Sequence, residues 1–151
     1  MRKNFKLKKN IFYNKKVLIT GHTGFKGSWL SLWMHKLGAK VIGISKDIPT
    51  KPSHYLSSGL NKFVKNKNID IQNKKQLHSF IKNLKPDFIF HLAAQAIVKK
   101  SYEDPIETWK TNLIGTINLL ECLRSIKKKL IVVLVTSDKV YKNLETKIGY
   151  K

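Results

Sequence analysis

The sequence predicts a doubly wound α/β fold: a parallel sheet of five strands flanked by helices. Three observations lead there. Short continuous apolar runs alternate with longer amphipathic segments, the pattern of strands covered on both faces by crossover helices. The first run passes at once into a glycine-rich turn, Gly21-His22-Thr23-Gly24-Phe25-Lys26-Gly27-Ser28, which opens a helix. The 151 residues, 42% hydrophobic and 10% aromatic, suit one domain with a conventional core and exclude a disordered or low-complexity chain.

Taken in order, residues 1–11 are strongly basic and read as a flexible arm, and residues 12–151 as a single domain. Residues 16–20 (KVLIT) read as a buried strand, and residues 25–37 as a helix stopped by Gly38 in the left-handed conformation. Residues 40–44 (KVIGI) form a second strand, followed by a loop marked by Pro49 and Pro52. A third strand falls within residues 63–71 and a helix within 74–84. Pro86 and Asp87 introduce the fourth strand, residues 88–92. The next helix has the clearest start, with Asp104 at the N-cap, Pro105 at the first helical position and Glu107 completing a capping box. Ile106, Trp109, Leu113, Ile117 and Leu120 then recur at helical spacing for about five turns. Residues 130–135 (LIVVLV) form the fifth strand, and their unbroken apolar run predicts burial on both faces. If no further strand pairs with it, it becomes an exposed apolar edge.

The net charge of +21 excludes less than its size suggests. Of 30 basic residues only Arg2 and Arg124 are arginine, and Lys, Asn and Ile are enriched together, as AT-biased codon usage would produce. A reader of nucleic acid usually carries Arg for bidentate base contacts and interleaved aromatics for stacking. Here the lysines are scattered, apart from clusters at residues 2–16 and 127–129. No specific nucleic-acid partner is expected, only weak, salt-sensitive attraction to polyanions. The single cysteine, Cys122, excludes an internal disulfide and a cysteine-based zinc site, and no metal site is expected. The apolar runs are too short to span a bilayer, and the basic N-terminus lacks the apolar stretch of a signal peptide. The expected setting is soluble and cytoplasmic, with no membrane partner.

The glycine turn carries the strongest chemical signal. One glycine permits the tight turn, another lets backbone amides approach a pyrophosphate, and a third lets helix and strand pack closely. The helix N-terminus adds unpaired amides and partial positive charge. No Gly-Lys-Ser/Thr follows, so the phosphate loop of nucleotide hydrolases is excluded. Asp47 lies twenty residues past Gly27, beyond the second strand, where an acid bonds a ribose 2′-OH and favours NAD over NADP; neighbouring Lys46 could instead attract a 2′-phosphate. Leu92, Ala93, Ala94 and Gln95 follow the fourth strand, where small residues admit a cofactor, and His91 before them reads as a structural histidine. Ser137, Asp138 and Lys139 lie just past the carboxyl end of the fifth strand, where doubly wound sheets place ligands, although such a run is also an ordinary polar loop.

The spacing Gly-x-x-Gly-x-x-Gly, with Thr20 ahead and Phe25 inside, resembles the extended short-chain dehydrogenase/reductase superfamily. Residues 12–151 resemble more closely the N-terminal part of the CDP-glucose 4,6-dehydratase family. The match runs through residues 21–30 (GHTGFKGSWL), 91–95 (HLAAQ), 101–105 (SYEDP), 108–112 (TWKTN) and 136–141 (TSDKVY). The resemblance implies a Rossmann-type domain that holds NAD. It also implies oxidation of CDP-glucose at C4, loss of water across C5 and C6, and return of the hydride to C6, giving CDP-4-keto-6-deoxyglucose. By that resemblance, Gly21, Thr23, Gly24, Phe25, Lys26, Gly27, Asp47, Leu92, Ala93, Ala94 and Gln95 serve the cofactor. Asp70 and Ile71 match the pair that contacts adenine, and Asn112 matches a position that supports the active-site strand. Ser137 matches the hydroxyl that bonds the sugar O4 and Asp138 the acid that protonates the departing C6 hydroxyl. Lys139 falls where dTDP-sugar relatives carry a Glu tied to C5 proton removal. Lys99 stands where an Arg is expected, keeping the charge and losing the bidentate fork.

The superfamily's Tyr-x-x-x-Lys pair does not follow Lys139: Glu145 stands four residues after Tyr141, and only Lys151 follows Tyr150. The expectation is a truncated Rossmann domain without its later strands and substrate domain, inactive alone and homodimeric in a full-length form through helices like residues 104–126. The alternatives are a stand-alone nucleotide-binding remnant without catalysis, or another NAD-dependent nucleotide-sugar dehydratase or epimerase.

Overall fold

A computed structural model of the chain describes residues 10–137, 142 and 145. Five strands, β1 (Lys16–Thr20), β2 (Lys40–Ser45), β3 (Lys65–Asn68), β4 (Phe88–His91) and β5 (Ile131–Leu134), form one sheet in the order β3-β2-β1-β4-β5. Every pairing is parallel, with Val17 opposite both Val41 and Phe88. The chain winds outward from β1 to β3, then crosses back to lay β4 on the other side of β1. That reversal makes a switch point between β1 and β4, where the loops at the carboxyl ends diverge and leave a crevice.

The alternation of side chains along β1 divides the core between the two faces. Leu18 joins Ile42, Ile44 and Ile89 beneath Leu77 and Ile81 of α3 (Lys74–Leu84) and Leu119 and Cys122 of α6 (Gly115–Arg124). Val17 and Ile19 join Val41 and Phe88 beneath Met34 of α1 (Phe25–Lys36), with Tyr55 of α2 (His54–Ser57) and Leu60 of a following 3-10 turn. Each fully buried aliphatic side chain contributes about 1.5–3 kcal/mol of transfer free energy. Gly38 ends α1 at φ 77°, as its sequence position predicts. Asn73 caps α3 through its side chain, which accepts from Gln76 N. Ahead of β1, the Asn10 side chain donates to the Leu37 carbonyl and Asn14 N to Gly38 O, tying the chain's entry to the corner after α1. No helix among the described residues is long and apolar enough to cross a membrane.

The region after β4 departs from expectation in two ways. First, a short separate helix, α4 (Val98–Glu103), precedes the expected one, which starts after Asp104 and runs without a break for about five turns as α5 (Pro105–Trp109), a π turn (Lys110–Ile114) and α6. Second, only half the capping box forms: Asp104 Oδ1 accepts from Glu107 N at 2.9 Å, but Asp104 N bonds the Lys100 carbonyl, leaving the Glu107 carboxylate free to point elsewhere. The large apolar stripe of this helix faces outward, with Ile106 and Trp109 each 66% exposed and Leu113, Ile117 and Leu120 also exposed. The face turned inward is Thr111, Gly115, Asn118, Leu119 and Cys122. Close approach selects it: a Cβ on Gly115 would lie 2.5 Å from Ile71 Cδ1. Asn118 Nδ2 donates to the carbonyls of Ile71 and Gln72.

The expectation that β5 is buried on both faces is also corrected. Ile131 is 49% exposed, and Val133 and Leu134 are open as well. β5 pairs only with β4 and forms an edge among the described residues, so its apolar run lacks the layer that would cover it.

Cys122 is buried, and burial pushes its thiol above the ordinary value. It should therefore react with a thiol reagent at pH 8 far more slowly in the folded protein than in denaturant. Equal labelling rates would contradict this packing of α6.

Candidate functional site

The crevice at the switch point is a cleft of about 140 Å³ lined by Gly21, Thr23, Gly24, Ile44 to Asp47, Ile69 to Ile71, Leu92 to Ala94 and Thr111. Gly21 turns the chain out of β1 with φ 71°, its amide bonded to the Ile44 carbonyl at 2.8 Å. A Cβ there would stand 2.8 Å from Ala93 Cα and N, so the turn lies directly against the segment leaving β4. Thr23 ties the turn to the end of β2, its hydroxyl donating to the Asp47 carbonyl at 2.6 Å.

Gly24 is the N-cap of α1 and offers no side-chain cap, and no acidic residue stands in the first helical turn. The first-turn amides thus have no intrahelical acceptor, and the positive end of the helix opens on the cleft at Gly24. Gly27 does not line the cleft. A Cβ on it would fall 2.1 Å from Gly21 O, so its role is to let α1 sit against the turn. Phe25 and Lys26 are exposed at the start of α1 and outside the lining.

Small side chains and a buried network set the other wall. Thr20 Oγ1 accepts from Leu92 N at 3.2 Å and Ala93 N at 3.1 Å, so its proton goes to His91 Nδ1, 2.7 Å away. This assigns the His91 proton to Nε2, which faces Thr116 Oγ1 at 3.1 Å; Thr116 donates in turn to the Asn112 carbonyl. Burial lowers the His91 pKa to about 4, so the ring is neutral near pH 7. The structural reading of His91 agrees with this arrangement. Next to it, Asn112 holds both backbone groups of Gln95, accepting from its N–H at 2.8 Å and donating to its carbonyl at 3.0 Å. Asn112 and Gln95 lie beside the cleft lining and brace the loop after Ala94.

At the far end, Asp47 and Asp70 both line the cleft. Asp70 also acts as a turn residue, its carboxylate accepting from Gln72 N at 2.9 Å. Lys46, between β2 and Asp47, pairs with Glu107 at 2.9 Å. That contact, chiefly the hydrogen bond, holds the Lys46 ammonium above its ordinary value and the Glu107 carboxyl below its own. Gln72 Nε2 donates both to Glu107 at 2.9 Å and to Thr111 Oγ1 at 3.0 Å. Sequence reasoning missed this bridge and the Thr20–His91–Thr116 network. Thr20 and Glu107 were both visible in motifs, but spacing does not say which way a side chain points. Ser137 is exposed beyond β5, and Asp138 and Lys139 lie outside the described residues.

A parallel sheet whose switch point combines a glycine turn, an acid beyond β2 and small residues beyond β4 defines a Rossmann-type nucleotide-binding domain. Residues 18–148 match the family model described as GDP-mannose 4,6 dehydratase, and the chain belongs to that family. It is 46% identical over 143 residues to a CDP-glucose 4,6-dehydratase of Salmonella typhimurium, covering 95% of this chain and 40% of the relative. It is 36% identical over 134 residues to a CDP-paratose 2-epimerase of Salmonella typhi, covering 86% and 39%. Among solved structures, an epimerase from Methanothermobacter thermautotrophicus superposes with a TM-score of 0.76 at 26% identity, over 94% of this chain and 41% of that one. The Thermus thermophilus UDP-glucose 4-epimerase in complex with NAD gives 0.64 at 32% identity, over 72% and 33%. The chain spans about 40% of the length of these curated relatives.

Proposed function

We propose that the chain is the NAD-binding part of a sugar-nucleotide 4,6-dehydratase that converts CDP-glucose to CDP-4-keto-6-deoxyglucose and water. The observation that carries this reading is the 46% identity to the Salmonella enzyme across nearly the whole chain. The NAD complex of the Thermus relative supports the choice of cofactor.

The cleft fits that group. The pyrophosphate would meet the uncapped N-terminus of α1 at Gly24, which carries no opposing carboxylate in its first turn. Asp47 would accept from the adenosine ribose, and Asp70 with Ile71 would flank adenine. Leu92, Ala93 and Ala94 would admit the middle of the dinucleotide, with Gln95 and Asn112 steadying the loop that follows. Phe25, Lys26 and Gly27 would act from the start of α1, the last by packing alone. NAD, when bound, would take the hydride from the sugar C4 and return it at C6. Beyond β5, Ser137 would hold the sugar O4, Asp138 would give the proton that leaves with the C6 hydroxyl, and Lys139 would stand near C5. The outward stripe of Ile106, Trp109, Leu113, Ile117 and Leu120 favours a homodimer paired through this helix in a full-length form. No metal enters this account.

A chimera tests the reading. Residues 12–137 of this chain replace the matched part of the Salmonella enzyme, and dehydration of CDP-glucose is followed by the absorbance of the 4-keto product. We expect activity with CDP-glucose above that with UDP-glucose or GDP-mannose. A soluble, NAD-binding chimera that leaves CDP-glucose untouched would contradict the assignment. The 151-residue chain alone, without a Tyr-x-x-x-Lys pair after Lys139, is expected to bind NAD and turn over nothing.

A further inference from the structure

We propose that Glu107 sets the choice between NAD and NADP by holding Lys46 away from the ribose 2′ position, a specificity role that rests on the NAD-binding reading above. Lys46 lines the cleft one residue before Asp47, at the end of β2. An ammonium at that place is the group a 2′-phosphate would seek. Its Nζ is engaged instead by Glu107 Oε1 at 2.9 Å, across 61 positions of sequence.

The carboxylate that takes it is itself anchored. Glu107 Oε1 also accepts from Gln72 Nε2 at 2.9 Å and Thr111 Oγ1 at 3.2 Å. The segments after β2 and β3 and the helix at α5 thus converge on one oxygen, and its failure to close the capping box leaves it available. Asp47 and Asp70 line the same cleft. Three of the chain's nine acidic residues therefore gather around one lysine, in a protein of net charge +21. A 2′-phosphate brings close to two negative charges (about −1.5 to −2) and would meet three carboxylates while Lys46 is engaged by Glu107. A 2′-hydroxyl brings none. The pair is partly exposed, at 46% and 36% for the two side chains, so water and salt weaken it and its release by mutation is feasible.

The test is calorimetric titration of NAD and NADP into the 151-residue chain, its Glu107→Gln variant and the Glu107→Gln/Lys46→Gln double variant. Glu107→Gln keeps the shape and an oxygen for Gln72 and Thr111 while removing the charge. It should raise affinity for NADP relative to NAD about tenfold, the worth of one charge-assisted hydrogen bond, and the added Lys46→Gln should erase the gain. Glu107→Ala should move the ratio the same way and serves if the glutamine variant folds poorly. An unchanged ratio in variants that still bind NAD would overturn the role of Glu107 and leave the NAD reading standing. A gain that survives Lys46→Gln would overturn the part assigned to Lys46. Failure of the unmodified chain to bind either dinucleotide would overturn both this inference and the reading beneath it.

Discussion

Gly27→Ala is expected to destabilise the fold by about 3 kcal/mol, the upper end of the cost of overpacking, and to abolish dinucleotide binding. The added methyl would lie 2.1 Å from Gly21 O, 2.8 Å from Gly21 C and 2.9 Å from His22 Cα. All three are backbone atoms, so no rotamer change relieves the clash. Either α1 lifts from the sheet, uncovering Met34, or the turn moves off the Ala93 backbone and the cleft loses its shape. Urea unfolding followed by circular dichroism, together with an NAD titration, measures both effects. A wild-type midpoint with NAD affinity within twofold would contradict the packing described for the turn.

Acid is expected to unfold the protein through His91. Burial holds its folded pKa at about 4, against 6.5 for the free side chain. Between those values the unfolded state binds more protons than the folded one, so stability is full above about pH 6.5 and falls as the pH drops towards 4. The whole excursion is worth roughly 3 kcal/mol. The geometry gives the same sign, because a proton on Nδ1 would face the Thr20 hydroxyl, whose own proton already points at that nitrogen. His22, also lowered by burial, acts in the same direction. Asp87, held low by Lys128 and by the Lys16 amide, and Glu107, held low by Lys46, add losses at more acid pH. Melting temperatures from pH 7 to pH 4.5 should fall steeply in the wild type. In His91→Gln they should start lower and fall less. Parallel curves for the two proteins would show that His91 does not carry the acid sensitivity.

The sheet was legible because its signals are local. The runs KVLIT and KVIGI each read as strands by composition alone, and the glycine turn between the first strand and the first helix has few other uses. Gly38, Pro86 and the Asp104-Pro105 start punctuate elements through backbone chemistry that does not depend on neighbours. What failed depends on neighbours. The apolar run of β5 signals a covered strand, but cover is supplied by whatever packs there, and β5 has only β4 beside it among the described residues. The stripe from Ile106 to Leu120 was legible as a helical period, but a period does not say which face packs. The helix turns its small face inward, because Gly115 and Asn118 permit a closer approach to Ile71 than any large residue would. At the site, the backbone elements were legible and the cross-connections were not. Asp47, Asp70 and the Leu92–Ala94 segment converge on one cleft from three strand ends, as their positions in the winding require. The pairing of Lys46 with Glu107 joins residues far apart in sequence through side chains alone, and no spacing rule encodes it.

The cleft between the Gly21–Gly24 turn, Asp47 and the Leu92–Ala94 segment is the proposed dinucleotide site. Calorimetric titration of NAD into the 151-residue chain at about 0.3 M salt, where the Debye length falls to about 6 Å, is the decisive measurement, because salt suppresses the nonspecific pull of a +21 protein on any anion. Saturable one-to-one binding that weakens on Asp47→Ala is expected. No saturation with folded protein, or binding that disappears with salt and ignores Asp47→Ala, would contradict it.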